Sequence, residues 1–393
     1  MRQLFSRLPR TVVVLGGVSL LNDAASEMIT PLLPVLLTAT LGAGPAVVGL
    51  VEGVAEATAS ILKLVAGRLV DRGVGAKRLV FTGYTLANIA RPVIGVASAW
   101  PLVLVLRFAD RVGKGLRTAP RDALIAGATL ESERGRAFGF HRSMDHAGAV
   151  IGPLVAFGLL SLGVSLPKVF VWSLVPGVLV LVLLGLGVPR DAPLVHGRAA
   201  PLSWHTLDRR LRALLIAAGV LALATVPEVF VVLWARAAGL PLPWVPLVWA
   251  AASLAKMLLA YPAGIASDAL GRVPLLLLGW TLRVLALAAL AFVHAAGLLV
   301  WALFLAYSAT LALTEPAERS LIGDMAPAAV RGTAFGLYHL ASGLLVLPGA
   351  VVFGLVWQRA GAASAFALAA LVTALAAIGM ALAARLAPGA RGA

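Results

Sequence analysis

Residues 134–139 read Arg-Gly-Arg-Ala-Phe-Gly, and residues 331–336 read Arg-Gly-Thr-Ala-Phe-Gly. The offset of 196–197 positions between them recurs along the chain. Gly67 and Asp71 return as Gly264 and Asp268, Thr118-Ala119-Pro120 as Thr314-Glu315-Pro316, and Phe157-Gly158 as Phe353-Gly354. Matches in one order at one offset mark a duplicated unit. The longest polar break, Pro189 to Arg212, falls between the copies. The expected organisation is a first half over residues 1–190, a cytoplasmic linker over 191–210 and a second half over 211–393.

Composition says what the copies are made of. Of 393 residues, 61% are apolar and 12% charged, and the mean hydropathy is +0.97. A soluble domain carries about 25% charged residues, so this chain cannot cover a surface in water. It has no cysteine, which excludes a disulfide scaffold, thiolate metal sites, iron–sulfur clusters and a cysteine nucleophile. A helix crosses the hydrocarbon core with roughly 20 apolar residues. Twelve such stretches lie at about 11–38, 46–70, 78–98, 101–121, 134–162, 168–188, 211–237, 244–268, 273–295, 297–319, 331–357 and 362–386. The first is too long for a cleaved signal peptide and carries Asp23 and Glu27 in its middle. The expected fold is an all-α integral membrane protein, twelve transmembrane helices in two pseudo-symmetric six-helix bundles. Parallel repeats of this kind are a transporter plan, with the solute site near the bilayer midplane.

The net charge of +15 follows the same topology. With a cytoplasmic amino terminus, the external loops carry only Lys168, Arg236 and Arg359. Arg2, Arg7, Arg10, Arg72, Lys77, Arg78, Arg134, Arg136, Arg209, Arg210 and Arg212 all fall on the cytoplasmic side. That is the positive-inside bias, so the basicity records orientation rather than a nucleic-acid partner. Both termini are expected in the cytoplasm of a bacterial cell, with the chain a multi-pass monomer of the cytoplasmic membrane in contact with lipid.

Two motifs resemble those of the major facilitator superfamily. After the second span, Gly67-Arg68-Leu69-Val70-Asp71-Arg72 fits the opening of the hallmark Gly-x-Leu-x-Asp-Arg-x-Gly-Arg-Lys, although the rest is one residue longer and lacks the Arg after the second Gly. The second copy, Gly264 to Asp268 followed by Gly271-Arg272, keeps the spacing. The resemblance implies a gate latch. Its glycines are expected to let helix ends approach closely, with Arg72 tied to Glu131 or Glu133. Span five carries Gly139-x8-Gly148-x3-Gly152-Pro153, which resembles the antiporter motif of the same family, with Ala156-Phe157 in place of its closing Gly-Gly. That resemblance implies export driven by proton antiport.

Ionisable residues inside spans carry the chemistry, since each costs about 2.5–3.5 kcal/mol at the bilayer centre on insertion scales. The first half holds Asp23, Glu27, Glu52, Glu56, Asp110 and Asp145 against Lys63, Arg91, Arg107, Arg111, Lys114 and Arg142. At about 100° per residue, the polar residues of each helix fall on one arc, turned from lipid. By depth, Asp23 and Glu27, then Glu56 and Asp145, are the expected proton carriers. Glu52, Arg107, Asp110, Arg111, Lys114 and His141 are the expected counter-charges or solute contacts. A carboxylate that loses its guanidinium partner in apolar surroundings takes up a proton, which would couple a rocking motion to proton transfer.

The second half is sparsely charged, with Glu228, Lys256, Arg283 and Glu315, and offers Trp234, Trp249, Tyr261, Trp280, Tyr307 and Tyr338 as aromatic surface. One charged and one apolar wall suit an amphipathic or lipophilic solute. The excess of Arg on span four suits an organic anion or phosphorylated metabolite taken up with protons. A lipid enzyme or scramblase is the alternative from another class. His141 and Asp145 share a face, but no third ligand does, so no metal and no cofactor are expected. Neither a phosphate-cradling Gly-Lys-Ser/Thr nor a His-Glu-x-x-His occurs, and no enzymatic activity is expected.

Overall fold

The computed structural model describes residues 8–130, 134–188, 216, 219–325 and 331–386. The linker over 191–210, Glu131, Glu133 and the side chains of Asp71, Tyr261, Asp268 and residues 134–136 and 331–336 lie outside the described set.

The described residues form helices at all twelve expected spans. They are α1 Arg10–Ile29, α2 Pro45–Asp71, α3 Ala76–Ile94, α4 Trp100–Gly127, α5 Arg134–Ser161 and α6 Leu166–Gly187. The second half follows with α7 Gly219–Ala237, α8 Trp244–Leu270, α9 Arg272–Phe292 and α10 Leu298–Met325. The last two helices, α11 (331–360) and α12 (362–386), turn at Gly361, whose φ of 86° suits glycine alone. Among the described residues, eight helical segments are apolar and long enough to cross a membrane on composition alone, and one of them, Leu340–Ala381, spans both α11 and α12. The remaining three, α3, α4 and α8, fall short of that measure. Arg91 in α3 and the run of Arg and Lys in α4 lower the hydropathy of those helices, and the described apolar run of α8, Trp244–Leu259, is shorter than the measure requires.

Contacts divide the chain into two compact units. The first comprises Met1–Ala43, Val54–Ala199 and Pro241–Ala250; the second comprises Gly44–Gly53, Ala200–Leu240 and Ala251–Ala393. Helices α2 and α8 are thus each shared, at repeat-equivalent points. In the first unit, Val12, Leu15 and Val18 of α1 pack with Val80 and Tyr84 of α3 and Val180 and Leu184 of α6. In the second, Phe230, Phe353, Trp357 and Phe366 stack with ring centroids 4.7–6.0 Å apart. The α6 face with Leu174, Val178, Val182 and Leu186 is exposed, as a lipid-facing surface should be.

The first helix of each half is discontinuous. Beyond Ile29, α1 tightens into a 3-10 turn at Thr30–Leu32 and then widens into a π segment at Leu36–Thr40, around Pro31 and Pro34. Helix α7 breaks at Thr225-Val226-Pro227 and restarts at Glu228. Proline removes an amide donor and clashes with the preceding turn, so both breaks are written in the sequence. Broken membrane helices free backbone groups to line a cavity.

Candidate functional site

Glycine sets how close the helices come. A β-carbon on Gly113 of α4 would lie 2.4 Å from the Gly83 carbonyl oxygen of α3, and one on Gly115 would lie 2.4 Å from Leu62 of α2. These crossings bring three polar helices of the first unit together. Asp110 is fully buried, and Arg91 Nε lies 2.8 Å from its Oδ1. Arg107 Nη1 is 3.2 Å and Arg111 Nε 3.6 Å from Oδ2. Arg91 Nη1 also donates to Asn22 Oδ1 at 3.0 Å and Asn88 Oδ1 at 3.3 Å. One carboxylate therefore anchors three guanidiniums. Arg91, counted as a base but given no role by the sequence, makes the shortest of these pairs, and Arg107 and Arg111 meet Asp110 as well as any other partner they have.

The four candidate carriers sit in different surroundings. Asp23, partly exposed, accepts a hydrogen bond from Asn22 Nδ2 at 2.9 Å. Because Asn22 gives its oxygen to Arg91, Asp23 is one amide removed from the arginine cluster. Glu27 accepts the indole N–H of Trp249 at 2.9 Å, within the first unit. Glu56 interacts electrostatically with Lys114, Lys63, Arg111 and Arg107. Asp145 accepts the Ser19 hydroxyl, and His141 Nδ1 lies 3.6 Å and Arg142 Nη1 3.8 Å from its Oδ2. Glu52 falls in the short part of α2 that clusters with the second unit. The structure thus gathers Arg107, Asp110 and Arg111 in one place and gives the expected carriers different partners. Among the described residues no group of three His, Asp or Glu side chains could hold a metal ion.

The antiporter-like glycines divide. A β-carbon on Gly148 would stand 2.4 Å from the Leu20 carbonyl and 3.0 Å from Asp23 Cβ, and one on Gly152 2.4 Å from the Ala24 carbonyl. Helix α5 therefore rides on α1 beside Asp23, with Pro153 one residue on. Gly139 meets nothing within 4 Å and takes no part in the crossing.

The gate loops correct one expectation. Gly67 has room for a β-carbon, 3.7 Å from Ala119 Cβ, and Gly264 faces open space. Close helix approach is not what these glycines provide. Gly271 instead holds a φ of 92° at the turn into α9, and Arg272 donates to the buried Ser267 hydroxyl at 3.2 Å. Arg72 is exposed, and its expected partners Glu131 and Glu133 lie outside the described residues, as do the side chains of Asp71 and Asp268.

In the second unit, Lys256 Nζ pairs with Glu228 Oε2 at 2.7 Å, and Ser308 donates to Glu228 Oε1 at 2.6 Å, where α7 restarts after its break. The Tyr307 hydroxyl donates to the freed Val226 carbonyl. Trp280 and Tyr307 are buried in packing rather than presented as aromatic surface. Arg283, also buried, donates to Thr314 Oγ1 at 2.8 Å and the Thr310 carbonyl at 3.4 Å. An intramembrane Arg is a functional candidate by default; the sequence shows Arg91 and Arg283, but not what they meet.

The sequence pattern of the Major Facilitator Superfamily matches residues 15–255. The chain is 28% identical over 363 residues to an uncharacterized MFS-type transporter of Methanocaldococcus jannaschii, covering 89% of each. It is 33% identical over 134 residues to the multidrug resistance protein MdtH of Yersinia pestis, covering 34% of this chain and 33% of that protein. The crystal structure of the nucleoside transporter NupG superposes with a TM-score of 0.79 at 13% identity, covering 96% of this chain and all of that one (100%). A twelve-helix repeat with ionisable residues buried in its spans, matched across more than half its length, belongs to the Major Facilitator Superfamily of membrane transporters.

Proposed function

We propose that the chain is a secondary transporter that exports an amphipathic or lipophilic solute across the cytoplasmic membrane in exchange for protons. The observation that carries this reading is the position of Asp23. It lies at mid-span, partly exposed, held by a neutral amide, with Asn22 linking it to Arg91 and Asp110. In this reading Asp23 is the proton site, and Asn22 links it to the arginine cluster. Gly148 and Gly152 press α5 against the same stretch of α1, so a shift of α5 changes the setting of Asp23. The antiporter-like motif and the partial similarity to a multidrug resistance protein support export. The halves over 1–190 and 211–393 serve as the moving bodies of a monomer with both termini cytoplasmic. Glu27, Glu56 and Asp145 are further proton sites.

The test uses inverted membrane vesicles with an imposed acid interior, reported by a pH-quenched acridine dye. Amphipathic solutes that are transported should release the quench with the wild-type chain and fail to do so with Asp23→Asn. Solute flux that persists unchanged after the gradient is collapsed would remove proton coupling from the reading. Quench deepening on solute addition would reverse the direction.

A further inference from the structure

The second unit contains a buried arginine, Arg283, that makes no direct ion pair among the described residues. Arg283 is 3% exposed and, among the described residues, bonds the Thr314 hydroxyl and the Thr310 carbonyl while its Nε meets no partner. Among the described residues no carboxylate lies within ion-pair distance of it. The first half answers the equivalent demand internally. There, Arg91 on the corresponding helix meets Asp110, whose counterpart at the offset set by Thr118 and Thr314 is Ala306. A buried guanidinium gains from a directly bonded counter-charge, and in the second half the described residues leave that place to a ligand.

Arg283 lines a pocket of about 240 Å³, within reach of a small solute. Glu315 and Glu318 lie on the same lining, with the Tyr338 hydroxyl donating to Glu318 at 2.8 Å. Leu311 and Val346 add apolar wall. A purely anionic ligand would meet the two carboxylates at a cost, and a purely cationic one would meet Arg283. A solute carrying both charges satisfies each wall, and a pocket that is mostly apolar accepts the skeleton between them. Thr225, at the break of α7, also lines this pocket, so occupancy reports directly to the discontinuous helix.

We propose that this pocket binds a small zwitterion, with its carboxylate or other anionic group on Arg283 and its ammonium toward Glu315 and Glu318. The inference deepens the transport reading by naming the class of its solute. The experiment is isothermal titration and thermal shift on the full chain in lipid nanodiscs, with no gradient present. Binding therefore stands or falls separately from proton coupling. The probes are phenylalanine and 6-aminohexanoate, with their amides (no anionic group) and 3-phenylpropionate and hexanoate (no ammonium). At least one zwitterion is expected to bind the wild-type chain about tenfold or more tightly than either of its single-charge analogues. Arg283→Gln should abolish that binding, and Glu318→Gln should bring the zwitterion level with its deaminated analogue. The comparison of analogues on the wild-type chain needs no variant to fold, and Arg283→Lys provides a second, charge-preserving variant that should weaken binding less than Arg283→Gln. Failure of both zwitterions to bind, equal binding of zwitterion and deaminated analogue, or undiminished binding by Arg283→Gln would each overturn the proposal.

Discussion

The two halves carry the same helices and dispose of their buried arginines differently. In the first, Arg91, Arg107 and Arg111 converge on Asp110, and Asn22 and Asn88 satisfy much of the remaining hydrogen-bonding capacity of Arg91. In the second, Arg283 has a threonine hydroxyl and one backbone carbonyl. The helix plan is common to both halves, while the partners of the buried charges on it differ. What survives in both halves is geometry. Gly152 lies against the Ala24 carbonyl as Gly349 lies against the Leu223 carbonyl, each with an added β-carbon 2.4 Å away. One helical turn before, the first half places Gly148 of α5 against Leu20 of α1, whereas the second places Leu345 of α11 against Gly219 of α7. The small and large partners have exchanged sides.

The strongest way to break this comparison is to remove the shared carboxylate. Asp110→Asn removes the anion that three guanidiniums share and is expected to cost about 3–5 kcal/mol, read as loss of thermal stability in detergent and poor recovery of folded protein. Next come the paired crossings. Gly152→Ala and Gly349→Ala are each expected to cost about 1–3 kcal/mol, because the β-carbon meets a backbone carbonyl that cannot rotate away. Melting curves that differ widely between the two would show that the halves do not share this contact.

Removing Arg283 should have a smaller effect. With no described carboxylate in direct ion-pair contact with it, Arg283→Met is expected to change stability by less than about 1 kcal/mol or to raise it, while Asp110→Asn destabilises. A large loss in Arg283→Met would show that an internal anion balances Arg283, and the contrast between the halves would collapse. The smallest effect belongs to Gly264→Ala, where nothing stands within 4 Å; it should stay within about 0.5 kcal/mol, against a clear loss for Gly271→Ala at a positive φ.

The site was partly legible. Asp23, Glu27, Arg107 and Asp110 stand out because a charge inside an apolar run must have a reason. Their partners did not stand out. Arg91 meets Asp110 from another helix, and helical spacing describes one helix at a time. The gate glycines show the opposite error, since a motif suggested close packing where Gly67 and Gly264 have space.

Apolar stretches and the repeat offset were enough to read the twelve-helix plan, because transfer into hydrocarbon is governed by local composition and length. Even the helix breaks at Pro31 and Pro227 are local. Which carboxylate neutralises which arginine, and whether Arg283 has one at all, was decided only by how the helices cross. Electrostatic partnership falls off over a few ångströms in space, and sequence separation carries no measure of that distance.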